Sequence, residues 1–193
     1  MQFKALKTGI VALLLSTGAH AEWTLDGAAS SFYYVTSKAA DVSEVNSFGG
    51  LSGGITDDGT ATLAIDLATV NTTIEVRDQR MRDIVFQVAE YPSADITVKI
   101  DAAALEAMAP GALNVGSYTA TVHLHGLSAE YAADLQVIKL DADSILVNLT
   151  KPLLVGAVSF GLAEGVEELR NLAGLPSINP NIVVDFTLVY NMQ

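Results

Sequence analysis

VNTTIEVRDQRMRDIVFQVAEYPSADITVKI, residues Val70 to Ile100, changes its hydrophobic period part-way along. Its first half reads as a helix. Thr72 followed three residues later by Glu75 fits a capping box, in which hydroxyl and carboxylate each satisfy an orphan backbone donor, so the spacing predicts a helix starting near Thr73. Ile74, Met81, Ile84 and Val85 fall on one face, with Arg77, Asp78, Arg80 and Arg82 on the remainder. After the Tyr91-Pro92 corner the period drops to two. Ile96, Val98 and Ile100 point one way and Asp95, Thr97, Lys99 and Asp101 the other, the pattern of a half-buried antiparallel strand.

The same period of two recurs on both sides of this stretch. Upstream, Phe32 and Tyr34 share a face in Ser31–Thr36, and Val45–Ile55 carries Gly49-Gly50 and Gly53-Gly54, where a closing sheet would bulge or bend. Asp57-Asp58-Gly59 is a turn, after which Ala61, Leu63, Ile65 and Leu67 alternate with polar residues. Downstream, Ala102–Ala109 reads as a short helix stopped by Pro110-Gly111. Strands are then expected over Tyr118–Leu124, Ala129–Leu140 and Ile145–Thr150, with turns at Gly126 and Asp141–Ser144. Glu164–Ala173 reads as an amphipathic helix with Val166, Leu169 and Leu172 on one side, Gly174 past its end and Pro176 beyond. A last strand, Ile182–Met192, places Val184, Phe186, Leu188 and Tyr190 on one face. The reading is mainly β: an eight-stranded antiparallel β-barrel with one or two short helices, a size that either fills its interior or holds one small ligand.

The run Arg77-Asp78-Gln79-Arg80-Met81-Arg82, then Val85-Phe86, Glu90-Tyr91-Pro92 and Ile96-Thr97, resembles the signature of the YceI-like family, which reads R-D-x-H-L, F-F and a Y-P corner. Asp26, Ser30 and Tyr34 resemble that family's opening, Phe48–Gly53 its glycine-bearing strand, and His125-Gly126 its H-G turn. The tail Phe160-Gly161-Leu162, Gly165-Val166-Glu167 and Leu169-Arg170 is similar to a branch that ends in a helix and one more strand. The resemblance implies a periplasmic polyisoprenoid-binding protein with a lipocalin-like β-barrel. Where the family often has histidine this chain has Ala29, Lys38 and Arg80, so a head-group contact made by those histidines would be absent or made differently.

Residues 1–21 read as a secretory signal peptide: Lys4 and Lys7 are the basic region, Gly9–Leu15 the apolar one, and Ala19-His20-Ala21 the cleavage site. A barrel domain of 22–193 and a periplasmic location are expected. The apolar run is too short for a membrane span. Cleavage leaves eight Lys and Arg against 22 Asp and Glu, a formal charge of −14, which disfavours nucleic acid and a bare anionic bilayer face. There is no cysteine, and about 170 residues build a core without disulfides.

The expected lumen positions are Phe32, Tyr34, Phe48, Ile96, Val98, Phe186 and Leu188, with Phe86 near an entrance. An apolar lumen would take up an isoprenoid or acyl tail at ~0.8 kcal/mol per buried CH₂, leaving discrimination to head-group contacts at the mouth. A polyprenyl quinone or another isoprenoid or long-chain lipid is the cargo the resemblance implies, and no other cofactor is expected. The competing reading is a filled barrel acting as a periplasmic interaction or stress protein with no small ligand. Abundant alanine on inward parity, such as Ala61 and Ala120, favours leftover space. Two barrels could pair as a homodimer through an open edge. Enzymatic chemistry is not expected: cysteine and a G-x-S-x-G motif are both missing, and His123 and His125, sharing one strand face, have no third metal ligand marked by spacing. Arg77-Asp78 and Arg82-Asp83 read as a solvated helix face.

Overall fold

The computed structural model describes residues 21–193, so the expected leader lies outside the described residues, save for Ala21 at the start of the first strand. Ten strands follow in order: β1 (Ala21–Leu25), β2 (Ser31–Lys38), β3 (Val42–Thr56), β4 (Thr60–Asn71), β5 (Ser93–Lys99), β6 (Leu113–Leu124), β7 (Leu127–Lys139), β8 (Ser144–Leu149), β9 (Leu153–Gly156) and β10 (Asn181–Met192). Every pairing is antiparallel, and β10 bonds to both β2 and β8, which closes eight of the strands into a barrel. These eight are the ones the alternating pattern marks.

The two additional strands, β1 and β9, were not visible as alternating runs. Each is too short to show a period, and each works by extending a barrel strand. β10 is twelve residues long and outruns its neighbours, so β9 continues the edge held by β8, and β1 continues the edge held by β2 while also pairing with β3. Ser128–Ala133 of β7 has strand partners only on β6. A 3-10 turn, Ala157–Phe160, packs on β7 instead, with Phe160 wholly buried and its ring 6.3 Å from that of Tyr131.

The glycines of β3 bend it as expected. Its register with β4 shifts between Phe48 and Gly50, and Gly53 has φ +154°, where a Cβ would stand 2.1 Å from the Thr62 carbonyl oxygen. At the end of the barrel holding the Asp57–Gly59 turn, Tyr190 reaches past β1 and β3 to donate its hydroxyl to the Thr62 carbonyl at 3.1 Å. That side chain floors the lumen.

Among the described residues there are also three α-helices: α1 (Glu75–Arg80), α2 (Ala102–Glu106) and α3 (Ala163–Leu172). α2 is shorter than the reading, capped by Asp101, whose carboxylate accepts from Ala104 N–H at 3.0 Å. α3 ends as expected. Gly174 takes φ +63°, with Leu175 N–H bonded to the Arg170 carbonyl and Gly174 N–H to that of Asn171, the paired bonds of a Schellman motif. Leu172, assigned to the apolar side, is half exposed because the helix meets the barrel through Val166 and Leu169.

α1 corrects the reading most. The capping box does not form: the N-cap is Ile74 without a side-chain bond, and Glu75 pairs with Arg82 at 3.0 Å. Thr73 takes φ +65°, a left-handed conformation that a β-branched residue adopts at a cost of roughly 1–3 kcal/mol. This turn sends Thr72 inward, where its N–H and hydroxyl both donate to Asp78, at 2.7 and 2.5 Å. α1 is consequently inside out. Asp78 is 6% exposed while Ile74 and Val76 are 46% and 57% exposed. The chain then widens into a π-helical turn, Met81–Val85, closed by Phe86 N–H on the Met81 carbonyl at 2.9 Å. Such turns insert one residue into a helix and recur at functional sites.

Candidate functional site

Inward parity along the eight barrel strands produces a cavity of about 600 Å³ rather than a filled core. The volume falls within the ~300–1,000 Å³ usual for ligand sites. Phe32, Tyr34, Phe48, Phe86, Ile96, Val98, Phe186 and Leu188, the eight positions assigned from sequence, all stand on its wall. Phe48 is the hub of the aromatic side. Its ring lies 5.4 Å from Tyr34, 5.8 Å from Phe86 and 6.1 Å from Phe32, which in turn lies 6.3 Å from Phe186. Phe86, placed near an entrance by the sequence reading, is buried below the rim. Opposite stand small side chains: Ala61, Ala94, Ala120 and Ala133 line the cavity, and replacing aromatic bulk by methyl groups is what leaves the space.

The wall changes character toward the other end. Inward parity on β2 runs Phe32, Tyr34, Thr36, Lys38, and on β3 it runs Phe48, Asn46, Glu44, so each strand passes from apolar to charged as it nears the β2–β3 turn. There Glu44 accepts from Lys38 Nζ at 2.8 Å and from Arg77 at 2.6 Å. Arg77 also donates to the Thr72 carbonyl. The Lys38 hydrogen bond and the Arg77 charge hold the Glu44 carboxyl below its ordinary range, against a smaller rise from burial. Ile74, Val76 and Arg80 of α1, Val166 and Leu169 of α3, and Ile178 of the loop after α3 complete this end. Ile74 and Val76 both line the cavity and are exposed, which places its mouth there.

Two buried polar atoms at the mouth end find no partner within the protein, the Tyr34 hydroxyl and Arg77 Nε. Burial pushes the Tyr34 phenol well above its usual value, the charge of Asp78 adds to the rise, and Arg77 opposes it. Tyr34 therefore stays a neutral donor. Arg80 makes neither hydrogen bond nor ion pair among the described residues. The polar mouth, Lys38, Glu44, Asn46, Thr72, Arg77 and Asp78, is what the sequence reading missed, having assigned Arg77-Asp78 to solvent. The signal was available, since the alternation of β2 and β3 continues unbroken through their polar ends.

The histidines do not meet. His123 is exposed on the outer face of β6, within 3.0 Å of Ser128 Oγ, whereas His125 has left the strand at φ +52° and packs its ring 4.2 Å from that of Tyr91. Among the described residues no group of three or more His, Cys, Asp or Glu could hold a metal ion, and no helix is long and apolar enough to cross a membrane.

The YceI-like domain matches residues 23–190, nearly the whole described chain. The chain belongs to the YceI-like family. A solved polyisoprenoid-binding domain from Saccharophagus degradans, implicated in plant cell wall breakdown, is 41% identical, with a TM-score of 0.89 over 90% of this chain and all of that one. Burkholderia cenocepacia BcnA is similar at 17% identity and TM-score 0.66, covering 86% of this chain and 98% of that one. A Campylobacter jejuni YceI protein is 19% identical at TM-score 0.55, covering 77% of this chain and 84% of that one. The last two likenesses show the fold alone. No curated protein matches. Within the YceI-like fold, the site of this chain is thus an apolar barrel lumen with a charged mouth.

Proposed function

We propose that this YceI-like protein binds a polyisoprenoid or similarly long-tailed lipid non-covalently in its lumen, in the periplasm, as a carrier or store rather than an enzyme. The observation that carries the reading is the apolar cavity itself, about 600 Å³ and continuous from the Tyr190 floor to the mouth. A filled barrel would need that volume packed, because interiors close to crystal-like density wherever side chains allow. At ~30 Å³ per heavy atom, the share of a water in the liquid, the lumen takes about 20 carbons, or about four isoprene units. Each buried CH₂ contributes ~0.8 kcal/mol of gross affinity. The polyisoprenoid-binding domain from Saccharophagus degradans, 41% identical, supports the ligand class.

The test is organic extraction and mass spectrometry of protein purified from its own cells. A stoichiometric prenyl or long-chain lipid is expected, and a lipid-free extract from several lipid-rich preparations would overturn the reading. Release on osmotic shock, with an N-terminus at Glu22, is the expected outcome for the leader and the location.

A further inference from the structure

We infer that the mouth selects a lipid acid: a long tail ending in an anionic oxygen head, carboxylate or phosphate, held by Tyr34, Arg77 and Arg80. This rests on the lumen being a tail site. The charged residues lining the cavity are Lys38, Arg77 and Arg80 against Glu44 alone, a surplus of two positive charges in a chain whose formal net charge is −12. Asp78 offsets part of that surplus from behind Thr72, whose N–H and hydroxyl both donate to its Oδ1. Glu44 is engaged by Lys38 and Arg77 at once. Arg77 Nε is buried without a partner, and Arg80 makes neither hydrogen bond nor ion pair among the described residues.

Tyr34 makes the same point from the inner side. It is 3% exposed, it lines the cavity, and its hydroxyl has no partner in the protein. A buried polar group normally has one. A phenol and two guanidinium groups line the cavity where its apolar wall gives way to charge. An oxygen head bearing negative charge can accept from all three, a protonated amine from none, and an alcohol from two at most and without charge assistance. The apolar surroundings strengthen such contacts and leave them little screened by salt.

The experiment compares probes sharing a four-isoprene tail: geranylgeranyl monophosphate, geranylgeranoic acid and geranylgeraniol, with inorganic phosphate as the tail-free arm. Each is titrated calorimetrically into the delipidated full protein, into Arg80→Gln and Arg80→Lys, and into Tyr34→Phe. Both acids should bind at least about tenfold more tightly than the alcohol, the worth of one hydrogen bond to a charged group. Arg80→Gln should reduce that preference about tenfold, Arg80→Lys should restore most of it, and Tyr34→Phe should reduce it at an unchanged melting temperature. Preference within twofold in the wild type, or a preference that Arg80→Gln leaves intact, overturns the head-group assignment while alcohol binding keeps the lumen reading. Binding of inorganic phosphate as tight as that of the lipid phosphate overturns it too, in favour of a tail-independent anion site. If no tailed probe binds, both readings fall.

Discussion

The ammonium of Lys139 stands 4.2 Å from the centre of the Trp23 indole ring, at the end of the barrel away from the mouth. Trp23 is 2% exposed and Lys139 3%. The contact ties β1 to the far end of β7, and no strand pairing joins these two directly. A desolvated cation over an indole face contributes ~2 kcal/mol. It locks the floor beneath the lumen that Tyr190 closes.

Breaking that lock should therefore be cooperative. Trp23→Leu is expected to cost about 3 kcal/mol, from lost aromatic burial and from a buried ammonium left without its ring. Lys139→Met should cost ~1 kcal/mol or less, because its stem is kept and its charge removed. A double-mutant cycle by urea denaturation should give a coupling of ~1–2 kcal/mol. Additivity within ~0.5 kcal/mol would show that the cation contributes nothing.

Gly165 is where α3 touches the π-helical turn. A Cβ there would stand 2.8 Å from the Ile84 carbonyl oxygen and 3.0 Å from Val85 Cα. In an open helix Gly→Ala gains ~1 kcal/mol, whereas overpacking costs ~1–3 kcal/mol and here meets backbone that cannot rotate away. We predict that Gly165→Ala lowers stability and loosens α3 over the mouth. A raised melting temperature would mean that the helix shifts without strain.

Filling the lumen should separate folding from binding. Ala120 is buried and lines the cavity, so Ala120→Phe adds a ring into open space instead of into packed wall. The expected outcome is a melting temperature within a few degrees of the wild type and a loss of extractable lipid. Retention of stoichiometric lipid would locate the cargo elsewhere.

Acid should weaken the mouth before the barrel. Glu44 has its carboxyl lowered from 4.5, first by Lys38 and then by Arg77. The folded value lies below the unfolded one, so the stability it contributes is complete above about 4.5 and is lost as pH falls through the folded value. Glu44→Gln should remove that part of the acid dependence, measured by denaturation between about pH 3 and pH 6. Superimposable acid limbs would show that the bridge between Lys38, Glu44 and Arg77 has no stabilising role.

Much of this molecule is written locally. Period two needs only neighbouring residues, so the eight barrel strands, their inward faces and the Phe32–Tyr34–Phe48–Phe186 wall could be read directly, as could the stop at Gly174, where a left-handed residue is needed. What could not be read depends on partners distant in sequence. Whether β10 would close on β2 is a matter of register across some 150 residues. β1 and β9 are strands only because β10 outruns its neighbours. α1 was read as amphipathic in the ordinary sense, since Ile74 and Asp78 look like core and surface by type. Thr73 and the Glu44 carboxylate across the mouth reverse them, putting the charge inside and the apolar side chains at the opening. The order of side chains around the lumen is thus a property of the sequence. The space between them, and the unspent donors of Tyr34, Arg77 and Arg80 facing it, come from the way the sheet curls, because cavity volume is the difference between a barrel's radius and the side chains it happens to bring face to face.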